Sequence, residues 1–176
     1  MGASFHPTLP FLGVIDFSGK VFIINHETDI VLDTIQMSFG PGITLDFNSG
    51  GNFLAVGGYG PDGWVLSIDQ NGRIIDSVVL DHPNTGVVKN IQFLSNNRII
   101  IGSGDGSIVY YQFSNGSWLV QRHIETNMEL CNAVTYSQKR DIVYTGGRDQ
   151  TVRAISLAEG RELMHGVCHT RSIKSI

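Results

Sequence analysis

The feature that most constrains this chain is a repeat of about 44 residues. VIDFSGKVFIIN (14–25), GYGPDGWVLSID (58–69), IGSGDGSIVYYQF (101–113) and GGRDQTVRAISL (146–157) align on a short turn. The turn positions Ser18, Asp62, Asp105 and Asp149 are separated by 44, 43 and 44 residues, and Gly19, Gly63, Gly106 and Gln150 follow them. A second register supports the first: Asn71-Gly72, Asn115-Gly116 and Gly160 recur at the same interval. Asn-Gly between apolar alternations signals a two-residue hairpin, because both residues tolerate the positive φ of a type I′ turn. A third register is aromatic, at Phe5, Phe47, Phe93 and Tyr136. Repeats of this length mean stacked units that cannot bury their apolar faces alone.

Between the turns lie short runs rich in Val, Ile, Phe and Tyr, punctuated by 21 glycines and 5 prolines. Such punctuation is all-β, and no stretch holds a 3.6-residue apolar period long enough for a substantial helix. The third copy parses into strands at 88–93, 98–102, 107–113 and 118–124. The fourth parses into 132–136, 142–146, 151–157 and 161–167. One four-stranded antiparallel sheet per repeat of this period is the signature of a β-propeller blade. The fold expected is therefore all-β, with about four blades near 1–36, 37–82, 83–125 and 126–168 and the start of a fifth at 169–176.

The runs DIVYTGGRDQTVRAISL and RIIIGSGDGSIVYYQF resemble the WD-repeat family across essentially the whole chain. That resemblance implies an Asp in each blade turn that ties the loop down, with a His, a Ser/Thr and a Trp completing a network. Asp149, Thr145 and His123 match its members in the fourth copy, and Asp105 and His82 in the third, with Asp62 at the turn of the second. Ile101 stands where the third copy wants a hydroxyl, and Ile24, Ile68, Tyr111 and Ile155 occupy the Trp position, so the member is a divergent one. The resemblance further implies a non-catalytic scaffold that binds protein partners, through loops held at fixed separations and through exposed blade edges that can accept a partner strand. Its binding face is formed by loops that here contain Tyr59, Pro61, Arg148, His169 and Arg171.

Closed members of that family typically carry about seven or eight blades. An open four-blade arc would leave an apolar face bare at each end, forfeiting burial at roughly 25 cal/mol per Å². The chain is thus expected to be part of a larger propeller, its missing blades coming from further sequence, a protein partner or self-association.

Composition narrows the functional classes. With 12 basic and 16 acidic residues the net charge is −4, which offers no general footprint for nucleic acid. An RNA-associated scaffold stays open if Lys139, Arg140, Arg148 and Arg153 gather on one face. No apolar run is long enough to span a bilayer as a helix. The N-terminus lacks the basic and apolar regions of a secretory signal. His6 stands where a myristoylation signal wants Ser or Thr. Cys131 and Cys168 are too few for a disulfide framework and read as buried thiols, and Asn115-Gly116-Ser117 as a glycosylation sequon in form only. An intracellular location is expected.

The Gly-Ser-Gly-Asp-Gly run (102–106) lacks the Lys-Ser/Thr of a phosphate loop and precedes a strand, so it reads as a blade turn. Six histidines show no metal-ligand spacing. Trp64 and Trp118 open strands and are expected to pack between blades. No cofactor and no catalytic residue is expected. The remaining alternative is a propeller with a ligand or catalytic site on its central axis.

Overall fold

The computed structural model describes residues 2–81, 86–126, 129–167 and 169–176. These form four antiparallel sheets of four strands each, without a helix among the described residues. The first holds β1 (Gly2–Phe5), β2 (Phe11–Ile15), β3 (Lys20–Asn25) and β4 (Ile30–Gln36). The second holds β5 (Gly42–Phe47), β6 (Phe53–Gly58), β7 (Gly63–Ile68) and β8 (Ile74–Leu80). In the third are β9 (Val88–Ser95), β10 (Arg98–Ser103), β11 (Ser107–Ser114) and β12 (Ser117–Glu125). The fourth comprises β13 (Cys131–Ser137), β14 (Ile142–Gly147), β15 (Thr151–Ser156) and β16 (Arg161–Val167).

Each sheet runs in chain order, and the first strands β1, β5, β9 and β13 pack against one another in sequence. The sheets are therefore blades, with their first strands innermost and β4, β8, β12 and β16 at the rim. Three apolar clusters fill the three blade interfaces. Ile15, Val21 and Ile23 meet Phe47, Leu54 and Leu66 between the first and second blades. Ala55 and Val65 meet Ile99, Ile101 and Tyr111 between the second and third. Ile100, Ile108 and Tyr110 meet Val143 and Ile155 between the third and fourth. Closure of the first blade onto the fourth is not seen among the described residues. The chain is an open four-bladed arc, a partial propeller.

Burial follows from this stacking. The interior strand β10 is buried on both faces, which is why Ile99, Ile100 and Ile101 can all be apolar. In β2, at the end of the arc, only alternate residues are buried. The aromatic register is structural, since Phe5, Phe47, Phe93 and Tyr136 pair with Leu12, Leu54, Ile99 and Val143 at one level of each innermost strand.

Two local readings change. Asn115 and Gly116 both have positive φ (52° and 81°), as a type I′ turn requires, but at Asn71-Gly72 only Gly72 does. There the carboxylate of Asp69 accepts the N–H groups of Asn71 and Arg73 at 2.8 Å, making a wider turn. The second correction concerns the second copy. Gly57, Gly102 and Gly146 are equivalent, because a Cβ on each would strike the residue that opens the next inner strand or its counterpart: Val88, Cys131 or Ile173. Counting from them puts Pro61 opposite Gly106 (φ 87°) and Gln150 (φ 67°). Proline cannot adopt positive φ. The second turn therefore takes another path, and Gly63 lies within β7 instead of at the turn's glycine position.

Candidate functional site

The turns joining the second and third strands of every blade gather at one end of the arc, and in the first, third and fourth their conformation is set by short polar contacts. In the third blade Asp105 Oδ1 accepts the Ser107 N–H at 2.9 Å and the Ser107 hydroxyl at 2.7 Å. In the fourth, Asp149 Oδ1 accepts the Thr151 N–H at 3.2 Å. The first blade moves the acid two places upstream: Asp16 Oδ1 accepts the N–H groups of Ser18 (2.8 Å) and Lys20 (3.0 Å). The Ser18 hydroxyl, followed by the Lys20 N–H, holds the Asp16 carboxyl below its ordinary range. Asp62 is shifted two places along and shares the level of Ser107 and Thr151, so it does not stand with Asp105 and Asp149.

Beneath the fourth turn lies a charged cluster within the fourth blade, buried at Arg153 and open to solvent at His165. Asp149 Oδ2 lies 2.6 Å from Arg153 Nη1, whose Nε is 3.0 Å from Glu162, and His165 Nδ1 is 2.6 Å from the other oxygen of Glu162. Arg153 is 9% exposed and shares a face of its sheet with the fully buried Thr145. The structure thus gives Asp149 an arginine neighbour. His123 does not join this cluster: it lies exposed on β12, opposite Val109. His82 lies outside the described residues, as does Cys168.

The five candidate contact residues are all exposed at this end, in two groups. Tyr59 and Pro61 belong to the second blade, where Lys89 Nζ stands 5.6 Å over the Tyr59 ring. Arg148 belongs to the fourth, 3.6 Å from Glu129, and its N–H is anchored on the Leu130 carbonyl. His169 and Arg171 follow on the segment that leaves that blade. The stiff parts are the backbone anchors (Tyr59 N–H to Pro41, Gly104 N–H to Val87, Arg148 N–H to Leu130), each tying a turn to the entry of its own inner strand. The side chains of Tyr59, Pro61 and Arg148 stand exposed above them.

The axis and the buried thiol bear on catalysis. On the innermost strands Ser4 Oγ accepts the Phe47 N–H at 3.2 Å, and Asp46 Oδ2 accepts the Phe93 N–H at 2.8 Å. Burial pushes the Asp46 carboxyl up, against those hydrogen bonds. Thr44 Oγ1 receives the Ile91 N–H. These polar groups are occupied in joining blades. At the same two levels of the third blade, Asn90 Oδ1 and Gln92 Oε1 are buried without a hydrogen-bond partner among the described residues. Cys131 is buried, and desolvation pushes its thiol up to about 12, which leaves it protonated and a poor nucleophile at neutral pH. No group of three or more metal-ligating side chains converges among the described residues.

At the opposite end, sequence reading missed a set of clasps between neighbouring blades. Arg98 donates from Nε to the Tyr110 hydroxyl at 2.7 Å, from Nη1 to Tyr136 at 3.1 Å and from Nη2 to Asp141 at 3.0 Å. Asn48 and Ser49 bond Asn96 across the previous interface, and a Cβ on Gly51 would collide with the His6 ring across the first. The signal for the charged clasp was an Arg and an Asp 43 residues apart, one repeat period.

No family model matches the chain. Echinoderm microtubule-associated protein-like 4 of Homo sapiens is similar to it, 23% identical over 120 residues that cover 68% of this chain. The match takes in 12% of that relative, so the chain spans a small part of its length.

Proposed function

We propose that the chain is a divergent WD-repeat-like propeller segment that acts as a non-catalytic scaffold, binding protein partners through its turn face inside the cell. The observation that carries this reading is the contrast at that face. Its backbone is anchored turn by turn, while Tyr59, Pro61, Arg148, His169 and Arg171 stand exposed above it. Tyr and Arg are the residues that most often anchor an interface. The rim is less suited to the task. Each outer strand carries a β-bulge, around Leu32, Ile75, Gln121 and Leu163, and bulges twist an edge away from pairing.

The relative's name associates it with microtubules, so co-sedimentation with polymerised tubulin is the first partner assay, beside capture from native extract with the chain immobilised. Binding that is lost in Tyr59→Ala and Arg148→Glu, with unchanged melting, supports the reading. Binding unaffected by both overturns the assignment of this face.

A further inference from the structure

The two end faces of the arc match in composition the two sides of an internal blade interface. In each internal interface, one face of a blade meets the opposite face of the next. The face of the first blade that turns away from the second presents Leu12, Val14, Phe22 and Ile24, with Val31 beside Ile24. Their counterparts Leu66, Tyr111 and Ile155, at the level of Ile24, are buried against the preceding blade. The far face of the fourth blade presents Tyr144, Val152, Ala154 and Met164 around an apolar cleft of about 100 Å³. These positions match Ile100, Ile108 and Tyr110, which are buried against the following blade. Terminal repeats that face water carry polar outer faces. Here both end faces have interior composition.

We propose that a second copy of this chain closes on the first head to tail, the first blade of each seating on the fourth blade of the other, to make an eight-bladed ring with two-fold symmetry. Identical heterologous contacts close into a ring when the rotation per unit completes a circle, and four blades taken twice reach a blade number that propellers use. The innermost strands supply the register. Thr135 stands at the level of Ser4 and Asp46, whose side chains accept the N–H of Phe47 and Phe93 in the next blade. Gln92 at the third interface does not make this bond among the described residues. The Thr135 hydroxyl would serve the Phe5 N–H of the incoming copy in the same way as Ser4 and Asp46. The segment after the fourth blade fits the same scheme. Ile173 is buried, its N–H bonds the Gly147 carbonyl at 3.0 Å, and it covers Gly146 as Cys131 covers Gly102. Seating the inner strand of the incoming copy beyond Ile173 displaces Lys174–Ile176, which are exposed and outside any strand, together with the packing of Ile176 at Gly146.

This inference does not depend on the turn face, and its test is separate: the mass of the purified chain by sedimentation at micromolar concentration. The expected species has twice the 19.3 kDa chain mass. Phe22→Glu, on one end face, and Val152→Glu, on the other, each return it to the single-chain mass with an unchanged circular dichroism spectrum. Mixing the two variants restores the doubled mass, because one of the two contacts then joins unaltered faces. Should either variant misfold, Val31→Glu and Met164→Glu carry the same test at positions 50% and 65% exposed. A single-chain mass for the unaltered protein, a mass that climbs without limit as open chains grow, or a mixture that stays at the single-chain mass overturns the proposal.

Discussion

Arg98 Nη2 lies 3.0 Å from Asp141 Oδ1 across the third and fourth blades, and the Tyr136 hydroxyl donates to the same oxygen at 2.6 Å. The guanidinium also stacks 5.1 Å from the Tyr110 ring centre. Burial opposes the Arg98 charge, but hydrogen bonds to Asp141 and Tyr110 more than offset it, and its pKa is raised. The pair closes the outer end of an interface whose centre is apolar, which makes it a place where stability can be read.

Asp141→Asn is expected to lower stability by about 1–2 kcal/mol in urea unfolding, the worth of a charge-assisted hydrogen bond discounted for solvent screening. The Tyr136 hydrogen bond, followed by those of Arg98, holds the Asp141 carboxyl below its unfolded value. Its contribution is therefore present above about pH 4 and lost as pH falls through the folded value. The gap between the two proteins should close between about pH 5 and pH 2. A gap that widens on acidification contradicts the assignment.

Asp149→Ala removes both the cap on the Thr151 N–H and one of the two carboxylates beside the buried Arg153. A loss of roughly 1–3 kcal/mol is expected, visible as a lower urea midpoint. Asp62→Ala, at a position that lacks this arrangement, should change the midpoint by less than about 0.5 kcal/mol. Equal losses at the two sites would show that the second turn is built like the fourth.

Gln150 holds φ at 67°, a conformation that costs a side chain and suits glycine. Gln150→Gly should raise stability by about 0.5–1 kcal/mol, and Gly106→Gln should lower it by a similar amount. Thermal melting of the two variants, with opposite shifts, checks both.

Asp46 is the reverse of Asp141. Burial raises its folded pKa, so between the unfolded and folded values the native state binds the extra proton and stability falls as pH rises. Asp46→Asn keeps an acceptor for the Phe93 N–H and removes the buried charge. Its urea midpoint should exceed that of the unaltered protein at pH 7 and converge with it near pH 3.

A Cys168→Ser variant isolates Cys131, whose thiol is buried and protonated. At pH 8 it should resist a disulfide exchange reagent in native buffer and react at once in denaturant. Rapid native labelling would place a thiolate where the structure has a sealed interface.

The repeat period, the four-stranded unit and most strand limits were legible in the amino-acid order because they rest on local physics. Alternation, glycine and Asn-Gly turns act within a few residues, and the parse of the third and fourth copies lies within two residues of β9–β16 at every end. Even the aromatic register at Phe5, Phe47, Phe93 and Tyr136 was visible, since each residue fills the same level of its own blade. What the order could not show was anything decided between blades. Asp62 looked equivalent to Asp105 because spacing tolerates a shift of two residues. Only the close approach of Gly57 to Val88 and of Gly102 to Cys131 settles which positions correspond. Arg98 and Asp141, like Asp46 and Phe93, are brought together by stacking, and stacking depends on side chains roughly one repeat apart that no local pattern connects. The sequence determined the blade; the packing of one sheet on the next decided the interfaces, the buried charges and the two faces left open.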